Sequence, residues 1–187
     1  MRQVVLYELV SLDGVAEAPD TFFPDWDEAM DDNLAAVIGT QDAVILGRRS
    51  YDEWSAYWPG SAMEPFATFI NAVPKYVATS TPLAGQWHNA TAIDGGLVEF
   101  VRRLKESPGG DIGVHASIAV AQTLLAAGEI DRVRLVVAPA IAVRGRRLWD
   151  GLPPLRLEAV GSAMSPSGYL LADYRVAWVA PRPEGRG

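Results

Sequence analysis

The sequence predicts an α/β fold with three layers (αβα), in which helices cover both faces of a mixed, mostly parallel central sheet. Segments with the patterns of strands and helices alternate along most of the chain, as in parallel strands joined by crossover helices. The last two strand segments instead follow one another across the turn 165–168, which predicts a C-terminal antiparallel hairpin. We expect a single domain over residues 1–179 and a disordered tail, rich in Pro, Gly and Arg, at 180–187.

The composition argues against several function classes. The formal net charge of −7 disfavours binding to nucleic acid or to an anionic membrane surface through bulk charge. The chain has no cysteine and only two histidines, so we expect neither a disulfide framework nor a metal site. It also lacks an apolar run long enough for a membrane span and shows no signal-peptide pattern, so we expect a cytoplasmic protein.

The first elements are a strand, a long loop and a helix. Residues 4–9 are almost continuously apolar, which predicts a central strand. The loop that follows contains Gly14 and two prolines, and loops of this length in compact domains are often functional. A helix is predicted over 26–38, with Asp25 and Glu28 as the pair that caps its start. Its core face is expected to consist of Trp26, Met30, Leu34 and Val37.

The stretch ILGRRSYDEW joins a buried strand at 43–46 to a second helix. Ser50 and Glu53 fit the S-x-x-E capping box, which predicts that this helix begins at Ser50. A helix N-terminus presents free N–H groups and a partial positive charge, and both suit a phosphate group. Arg48 and Arg49 lie at this start, and the residues alone leave open whether they bind phosphate or are surface arginines.

The remaining elements follow from apolar runs, helical spacing and turn residues. The predicted strands are, in order, 75–78, 90–93, 111–115, 132–138, 156–163 and 169–178. The predicted helices are 64–71, 97–104 and 117–127. Ser117 is expected to cap the last of these helices, and Gly128 is expected to be its C′ residue, where left-handed backbone favours glycine.

Several motifs, taken in order along the chain, resemble one known family. They are Ser11-Leu12-Asp13-Gly14, the run 45–51 with Trp58-Pro59, 74–77, 111–117, 131–135 with Pro139, and 145–149. Together they resemble the dihydrofolate-reductase-like superfamily over about residues 4–178. The set is most similar to the C-terminal reductase domain of the bacterial bifunctional riboflavin deaminase/reductase and its stand-alone relatives. The chain carries no deaminase zinc signature, so we do not expect the bifunctional enzyme.

This resemblance implies NADPH as the hydride donor, a small-molecule substrate and a homodimer. It places four cofactor-binding residues where phosphates meet a helix N-terminus, namely Gly47, Arg48, Arg49 and Ser50. It places Thr79, Ser80 and Thr81 beside the adenosine ribose, and Ala116 and Ser117 beside the pyrophosphate. NADH remains open as an alternative donor.

Three departures from the family pattern bear on the cofactor. Relatives have glycine at the turn before the pyrophosphate helix, because the backbone there approaches the cofactor closely, whereas this chain has Ala116. Relatives often carry a cation directly after the strand 75–78, whereas this chain continues with hydroxyl residues and Pro82. The turn 142–145 is less rich in glycine than in relatives.

Three acids are the candidate proton donors for hydride transfer. In dihydrofolate reductases one acid on the helix after the long loop has this role, and Asp31 and Asp27 are the residues that best match its position. Asp13 lies at the end of the first strand, near the place where nicotinamide and substrate meet in the family. Each has a simpler interpretation, because acids in a first helical turn favour the helix dipole and Asp-Gly favours turns.

The leading functional hypothesis is an NAD(P)H-dependent reductase of a small heterocyclic substrate. The resemblance implies an activity similar to that of 5-amino-6-(5-phosphoribosylamino)uracil reductase of riboflavin biosynthesis or of dihydrofolate reductase. The alternative is a degenerate reductase fold that acts as a non-catalytic ligand-binding or dimeric protein. Ala116 and the missing cation motivate this alternative.

Overall fold

The computed structural model describes residues 1–83, 85 and 87–177, so the tail predicted at 180–187 lies outside the described residues. Eight strands form one sheet in the order β4-β3-β2-β5-β1-β6-β8-β7. They are β1 (Val4–Ser11), β2 (Gln41–Gly47), β3 (Lys75–Ala78), β4 (Ala90–Ala92), β5 (Asp111–His115), β6 (Arg132–Ala138), β7 (Arg156–Met164) and β8 (Leu170–Ala177). All pairs from β4 to β6 are parallel, and β8 is antiparallel to both β6 and β7. The predicted mixed sheet with its C-terminal hairpin is therefore confirmed.

Five helices cover the two faces of the sheet. They are α1 (Glu28–Ile38), α2 (Arg48–Tyr57), α3 (Phe66–Ala72), α4 (Leu97–Glu106) and α5 (Ile118–Ala126). One apolar cluster contains side chains of α4 and α5, such as Val101 and Leu124, and the other contains side chains of α1 and α3, such as Met30 and Ile70. The sheet lies between the two clusters, which confirms the three-layer fold. None of the helices in the described part of the chain is long and apolar enough to cross a membrane.

Strand β1 lies at the centre of the sheet. Leu6 and Val10 pack in the cluster on the α4 and α5 face, whereas Val5 and Tyr7 pack in the cluster on the opposite face. A strand that is buried on both faces needs apolar side chains at successive positions. This explains why an unbroken apolar run was sufficient to predict β1.

The start of α1 differs from the prediction. Asp27 is the N-cap residue, and its carboxylate accepts a hydrogen bond from the Met30 N–H at 3.1 Å. Asp25 therefore does not cap this helix. Trp26 precedes the helix and is 40% exposed, so it does not belong to the core face.

The start of α2 also differs from the prediction. The helix begins at Arg48, and its N-cap residue Gly47 has no side chain to cap it. Ser50 lies inside the first turn, and its hydroxyl donates to the Ala116 carbonyl at 2.9 Å. Glu53 accepts a hydrogen bond from Arg49 at 3.0 Å instead of reaching back to a backbone N–H. The predicted capping box is therefore wrong, because a contact with the loop after β5 takes the serine hydroxyl.

The two ends of α5 show one wrong prediction and one that is confirmed. Ser117 occupies the N-cap position, but its hydroxyl makes no capping hydrogen bond. At the other end Gly128 has φ +80° and its N–H donates to the Leu125 carbonyl, while the Glu129 N–H donates to the Leu124 carbonyl. These two bonds form a Schellman motif, for which the left-handed glycine is suited.

Candidate functional site

The chain changes direction in the sheet between β2 and β5. After β2 it continues to β3 at one side, whereas after β5 it crosses to β6 beyond β1 at the other side. Loops that part in this way leave a crevice at the carboxyl ends of the strands, which is where open α/β sheets bind ligands. Gly47 and His115 are the last residues of β2 and β5 and mark this edge.

The loops at this switch point are joined by hydroxyl groups. The Ser117 hydroxyl accepts a hydrogen bond from the Gly47 N–H at 2.9 Å and donates to the Ser50 oxygen at 2.9 Å. Ser50 in turn donates to the Ala116 carbonyl at 2.9 Å. The structure thus brings together four of the predicted cofactor residues. Because the two hydroxyls already bind each other, what remains for a ligand is the set of N–H groups in the first turns of α2 and α5.

Ala116 has the backbone conformation that the family pattern reserves for glycine. Its φ is +48°, and its side chain is exposed at the start of α5. An L-residue in the left-handed region costs about 1–2 kcal/mol. The neighbouring hydrogen bonds of Ser50 and Ser117 hold the turn in this conformation.

Arg48 leans away from the switch point, over the turn that follows β3. Its Nε donates to the Asp52 carboxylate at 2.8 Å, and its Nη1 donates to the Thr81 hydroxyl at 2.5 Å and to the Pro82 carbonyl at 2.9 Å. Thr79 accepts from the Thr81 N–H at 3.1 Å in the same turn. The helix thus supplies a positive charge to the turn 79–81, which has no cation of its own.

Arg49 extends in the opposite direction and is 74% exposed. Its Nε donates to Glu53, and its Nη1 lies 3.4 Å from the carboxylate of Glu17 in the loop after β1. The two adjacent arginines therefore serve different parts of the cleft, Arg48 beside the β3 turn and Arg49 beside the β1 loop.

A cavity of about 770 Å³ opens next to Arg49. Its wall combines the loop after β1, the first turn of α2 and the loop after β6. The lining residues are Glu17, Ala18, Thr21, Phe22, Pro24, Arg49, Ala140, Ile141, Ala142, Arg144 and Gly145. The cavity is therefore at the same carboxyl edge of the sheet as the switch point.

Backbone strain is concentrated around this edge. Four non-glycine residues have positive φ within the described ranges, and three of them are Ala18 (+49°), Ala116 (+48°) and Val143 (+64°) in the loops after β1, β5 and β6. The fourth, Asn89, is a residue type that tolerates the left-handed region. Strained residues cluster at binding and catalytic sites. The strained residues therefore indicate a site at the carboxyl edge of the sheet, where the cavity also lies.

Glu17 is a site residue that the sequence analysis did not single out. Besides its contact with Arg49, its Oε2 accepts a hydrogen bond from the Arg146 N–H at 3.1 Å, and its side chain is 32% exposed. The only signal in the sequence was its place in the long loop after β1. Its partners Arg49 and Arg146 are far away in the chain, and no local pattern announces such contacts.

Asp13 joins the loop after β1 to the loop after β6. It accepts hydrogen bonds from the Ser11 hydroxyl at 2.7 Å and from the N–H groups of Ala142 at 2.9 Å and Val143 at 3.0 Å. The Ser11 hydroxyl and these backbone donors lower the pKa of Asp13 to about 2. Asp13 does not line the cavity, and these contacts give it a structural role that does not favour proton donation.

The acids of α1 also lie away from the cavity wall. Asp27 caps the helix and accepts from the Ser167 N–H at 3.0 Å. Desolvation acts to raise the pKa of Asp27, but hydrogen bonds from Ser167, Ser165 and Met30 outweigh it and lower the pKa to about 2. Asp31 accepts from the Trp26 indole N–H at 2.7 Å. The catalytic role of Asp31, Asp27 and Asp13 stays a prediction.

Two buried ionisable groups lie on neighbouring strands, Glu8 within β1 and His115 at the end of β5. The ring of His115 shares a hydrogen bond with Gln41 at 2.8 Å, and burial lowers its pKa to about 3, so the imidazole is neutral. Glu8 is 4% exposed, its Oε2 has no hydrogen-bond partner among the described residues, and burial raises its pKa to about 8. Both side chains belong to the core beneath the cleft.

Comparison with known proteins identifies relatives along nearly the whole chain. The RibD C-terminal domain family matches residues 2–171. The uncharacterised protein YyaP of Bacillus subtilis is 26% identical over 182 residues, which cover 92% of this chain and 94% of YyaP.

Three solved structures share the fold. The first is a candidate riboflavin biosynthesis protein from Shewanella sp. PV-4, with a TM-score of 0.78, 16% identity, and coverage of 94% of this chain and 99% of that protein. The second is a pyrimidine reductase-like protein from Corynebacterium diphtheriae, with a TM-score of 0.71, 16% identity, and coverage of 95% and 93%.

The third structure is a bifunctional protein from Thermotoga maritima. It is a diaminohydroxyphosphoribosylaminopyrimidine deaminase/5-amino-6-(5-phosphoribosylamino)uracil reductase, with a TM-score of 0.67 and 15% identity. The likeness covers 94% of this chain and 57% of that protein. These findings confirm the resemblance read from the sequence motifs. The chain belongs to the RibD C-terminal domain family.

Proposed function

We propose that this protein is an NADPH-dependent reductase of a small heterocyclic substrate of the pyrimidine type. The observation that carries the proposal is the junction of β2 and β5, where the first turns of α2 and α5 meet beside Arg48. The reductase relatives among the solved structures support the substrate class. In substrate detail, the activity would resemble that of 5-amino-6-(5-phosphoribosylamino)uracil reductase.

The residues at the junction fit a dinucleotide. Backbone N–H groups at two helix N-termini suit the pyrophosphate, because they offer donors and a partial positive charge. Arg48 contacts the hydroxyls of Thr79 and Thr81, and together they would offer a cation and hydroxyls to a 2′-phosphate. This combination favours NADPH over NADH.

The cavity next to the junction suits the substrate. NADPH, when bound, supplies a hydride to an electrophilic carbon of the substrate, and a proton completes the reduction. The chain would hold the two molecules side by side, and orientation of this kind accounts for much of the rate. Phe22 and Ile141 give the cavity apolar surface, while Glu17, Arg49 and Arg144 give it polar contacts.

One observation favours the alternative of a binding protein that has lost its cofactor. The methyl group of Ala116 is exposed at the start of α5, where the family pattern has glycine. A protein of this kind would fold normally and bind neither NADPH nor NADH.

Titration of the purified protein with NADPH and with NADH tests the proposal. The six tryptophans provide the fluorescence signal. We expect NADPH to bind more tightly than NADH. We expect Arg48→Ala to lower NADPH affinity about 10- to 100-fold, because hydrogen bonds to charged groups contribute about 1.5–3 kcal/mol and about 1.4 kcal/mol is tenfold.

The matched control is Arg103→Ala, which removes an exposed arginine on α4 far from the cleft. It should leave both affinities unchanged. Absence of binding by either nucleotide in a folded sample would contradict the reductase proposal and favour the alternative. The homodimer stays a prediction, and light scattering of the same sample would check it.

A further inference from the structure

We propose that Glu17, together with Arg49, recognises the substrate in the cavity, and that the pair selects heterocycles with a cyclic amide edge, in which a ring N–H adjoins a carbonyl. The inference rests on the proposed reductase function and specifies its substrate-binding group. Glu17 belongs to the β1 loop, and the binding role proposed for it is separate from the proton-donor role predicted for Asp31, Asp27 or Asp13.

Glu17 lies in the cavity wall, whereas the three predicted proton donors do not. Among the described residues that line the cavity, Glu17 carries the only carboxylate. Asp13 has both carboxylate oxygens bound to backbone N–H groups of the loop after β6. Asp27 has both oxygens bound to the N–H groups of Met30 and Ser167. These two acids are therefore committed to the fold.

The Glu17 carboxylate has spare hydrogen-bonding capacity. An ionised carboxylate has about four acceptor positions. Glu17 uses one for the Arg146 N–H at 3.1 Å and another for Arg49 at 3.4 Å. The side chain is partly exposed, so an N–H group of a ligand can reach a remaining acceptor position.

Glu17 and Arg49 place a hydrogen-bond acceptor beside a donor. A guanidinium has five N–H donors in a planar fork, and Arg49 uses its Nε and Nη1 for Glu53 and Glu17. A ring N–H facing Glu17 would therefore bring its neighbouring carbonyl towards Arg49. A cyclic amide offers an N–H donor to Glu17 and a carbonyl acceptor to Arg49. An ether or a simple ketone offers only an acceptor, so it can bind Arg49 but not Glu17.

The loop that carries Glu17 is held in place by the loop after β6. Gly145 has φ +113°, and a Cβ there would lie 2.7 Å from Val15 Cγ1, so only glycine lets the loop after β6 approach the loop after β1. The N–H groups of Ala16 and Glu17 both donate to the Arg146 carbonyl, at 3.0 Å and 3.3 Å. The carboxylate is thus held before a ligand arrives, which lowers the entropy cost of binding.

The experiment compares Glu17→Gln with Asp20→Asn. Glutamine keeps an oxygen for the Arg146 N–H, so the loop should remain folded, but it removes the charge that strengthens a substrate hydrogen bond. Asp20 is an exposed acid three residues away that does not line the cavity, so its substitution removes the same charge and serves as the control. Thermal melting verifies that each variant is folded.

The readouts are the Kd for NADPH and the kcat and KM for 5-amino-6-(5-phosphoribosylamino)uracil. We expect Glu17→Gln to raise KM about tenfold or more, with the NADPH Kd unchanged, and we expect Asp20→Asn to change neither. Glu17→Asp should recover part of the lost affinity. An unchanged KM in Glu17→Gln, or a loss confined to kcat, would overturn the inference and leave the reductase proposal intact.

A second measurement separates the two proposals. Binding of uracil alone, a minimal cyclic amide, is measured by ligand-detected NMR without any nucleotide. Weaker uracil binding to Glu17→Gln than to the wild type supports the inference even if NADPH fails to bind. Equal uracil binding by the two proteins, or no binding to the wild type, overturns it.

Discussion

The junction between β2 and β5 and the junction between β1 and β6 lie at the same edge of the sheet but are held by different contacts. At the first junction, neutral hydroxyls of Ser50 and Ser117 bind each other and neighbouring backbone groups. At the second junction, the carboxylates of Asp13 and Glu17 accept backbone N–H groups of the opposite loop. One junction is closed by neutral groups, and the other is closed by charges.

If the protein is the reductase that we propose, this difference corresponds to two demands on the site. A pyrophosphate is recognised by backbone N–H groups, so the first junction needs only a fixed loop shape and the nearby charge of Arg48. In the proposed reductase the substrate would contact charged side chains, and the loop after β1 at the second junction presents Glu17 beside Arg49 of α2. Substitutions at the first junction should therefore act on stability and on the nucleotide, and those at the second on the substrate.

The largest expected effect on stability comes from Glu8 in β1, the central strand that forms one side of the second junction. Its folded pKa of about 8 exceeds the ordinary value of 4.5, so the stability that Glu8 contributes is fully present below about pH 4.5 and is lost as the pH rises through 8. Glu8→Gln should remove this loss and raise the free energy of unfolding at about pH 9 by a few kcal/mol. Denaturant unfolding at several pH values measures the effect.

The control for Glu8 is Glu158→Gln, which makes the same substitution at a half-exposed position on β7. It should leave the pH dependence as in the wild type. If Glu8→Gln kept the wild-type slope between about pH 5 and 9, Glu8 would not be the source of the loss. In a Glu8→Gln protein the free energy of unfolding lacks the pH dependence due to Glu8. Substitutions at the two junctions can then be compared without that contribution.

The second-largest effect is expected at the β2–β5 junction. Ser117→Ala removes the acceptor of the Gly47 N–H and the donor to Ser50, and unsatisfied buried groups cost about 1–3 kcal/mol. The free energy of unfolding should fall by that amount. Thr123→Ala in the same helix is the control, because its exposed hydroxyl only donates to the Ala119 carbonyl. Equal losses in both variants would contradict the special role of Ser117.

Most of the sheet was predictable from the sequence because its inner strands are apolar on one or both faces, whereas the edge strand β7 is mostly exposed. The strands 75–78, 111–115 and 132–138 were predicted with the bounds that the structure shows. Strand β1 was predicted two residues too short, because Ser11 at its end is polar yet buried. Burial patterns of this kind are visible in consecutive residues, so they can be predicted without knowing the contacts of the rest of the chain.

The helix starts and the site were harder to predict, because their contacts join residues far apart in sequence. Ser50 looked like a cap, and only the approach of Ala116 shows where its hydroxyl goes. Asp27 had the helix-cap role that was assigned to Asp25. The motif resemblance named the junction residues as cofactor ligands, which stays a prediction, whereas Glu17 has no local signal in the sequence and was found only because it lines the cavity.

The third effect concerns the strained turn at the first junction. Ala116→Gly should stabilise the fold by about 1 kcal/mol, because glycine adopts φ +48° without the penalty of a Cβ atom. Melting temperature measures this, with Ala119→Gly as the control. Ala119 is an exposed helical residue of α5, where glycine should destabilise by about 0.5–1 kcal/mol. Destabilisation by both variants would mean that the turn is not strained.

The smallest effect is expected from Asp13 at the second junction, and it depends on pH. The folded pKa of about 2 lies below the ordinary value of 3.8, so the stability that Asp13 contributes is present above 3.8 and is lost as the pH falls towards 2. Asp13→Asn should therefore melt below the wild type at neutral pH, and the difference should shrink between about pH 4 and 2. NADPH affinity should not change, since Asp13 contacts only the loops after β1 and β6. A weakened nucleotide affinity would show that the two junctions are coupled. The proposed division, with the nucleotide at the first junction and the substrate at the second, would then be wrong.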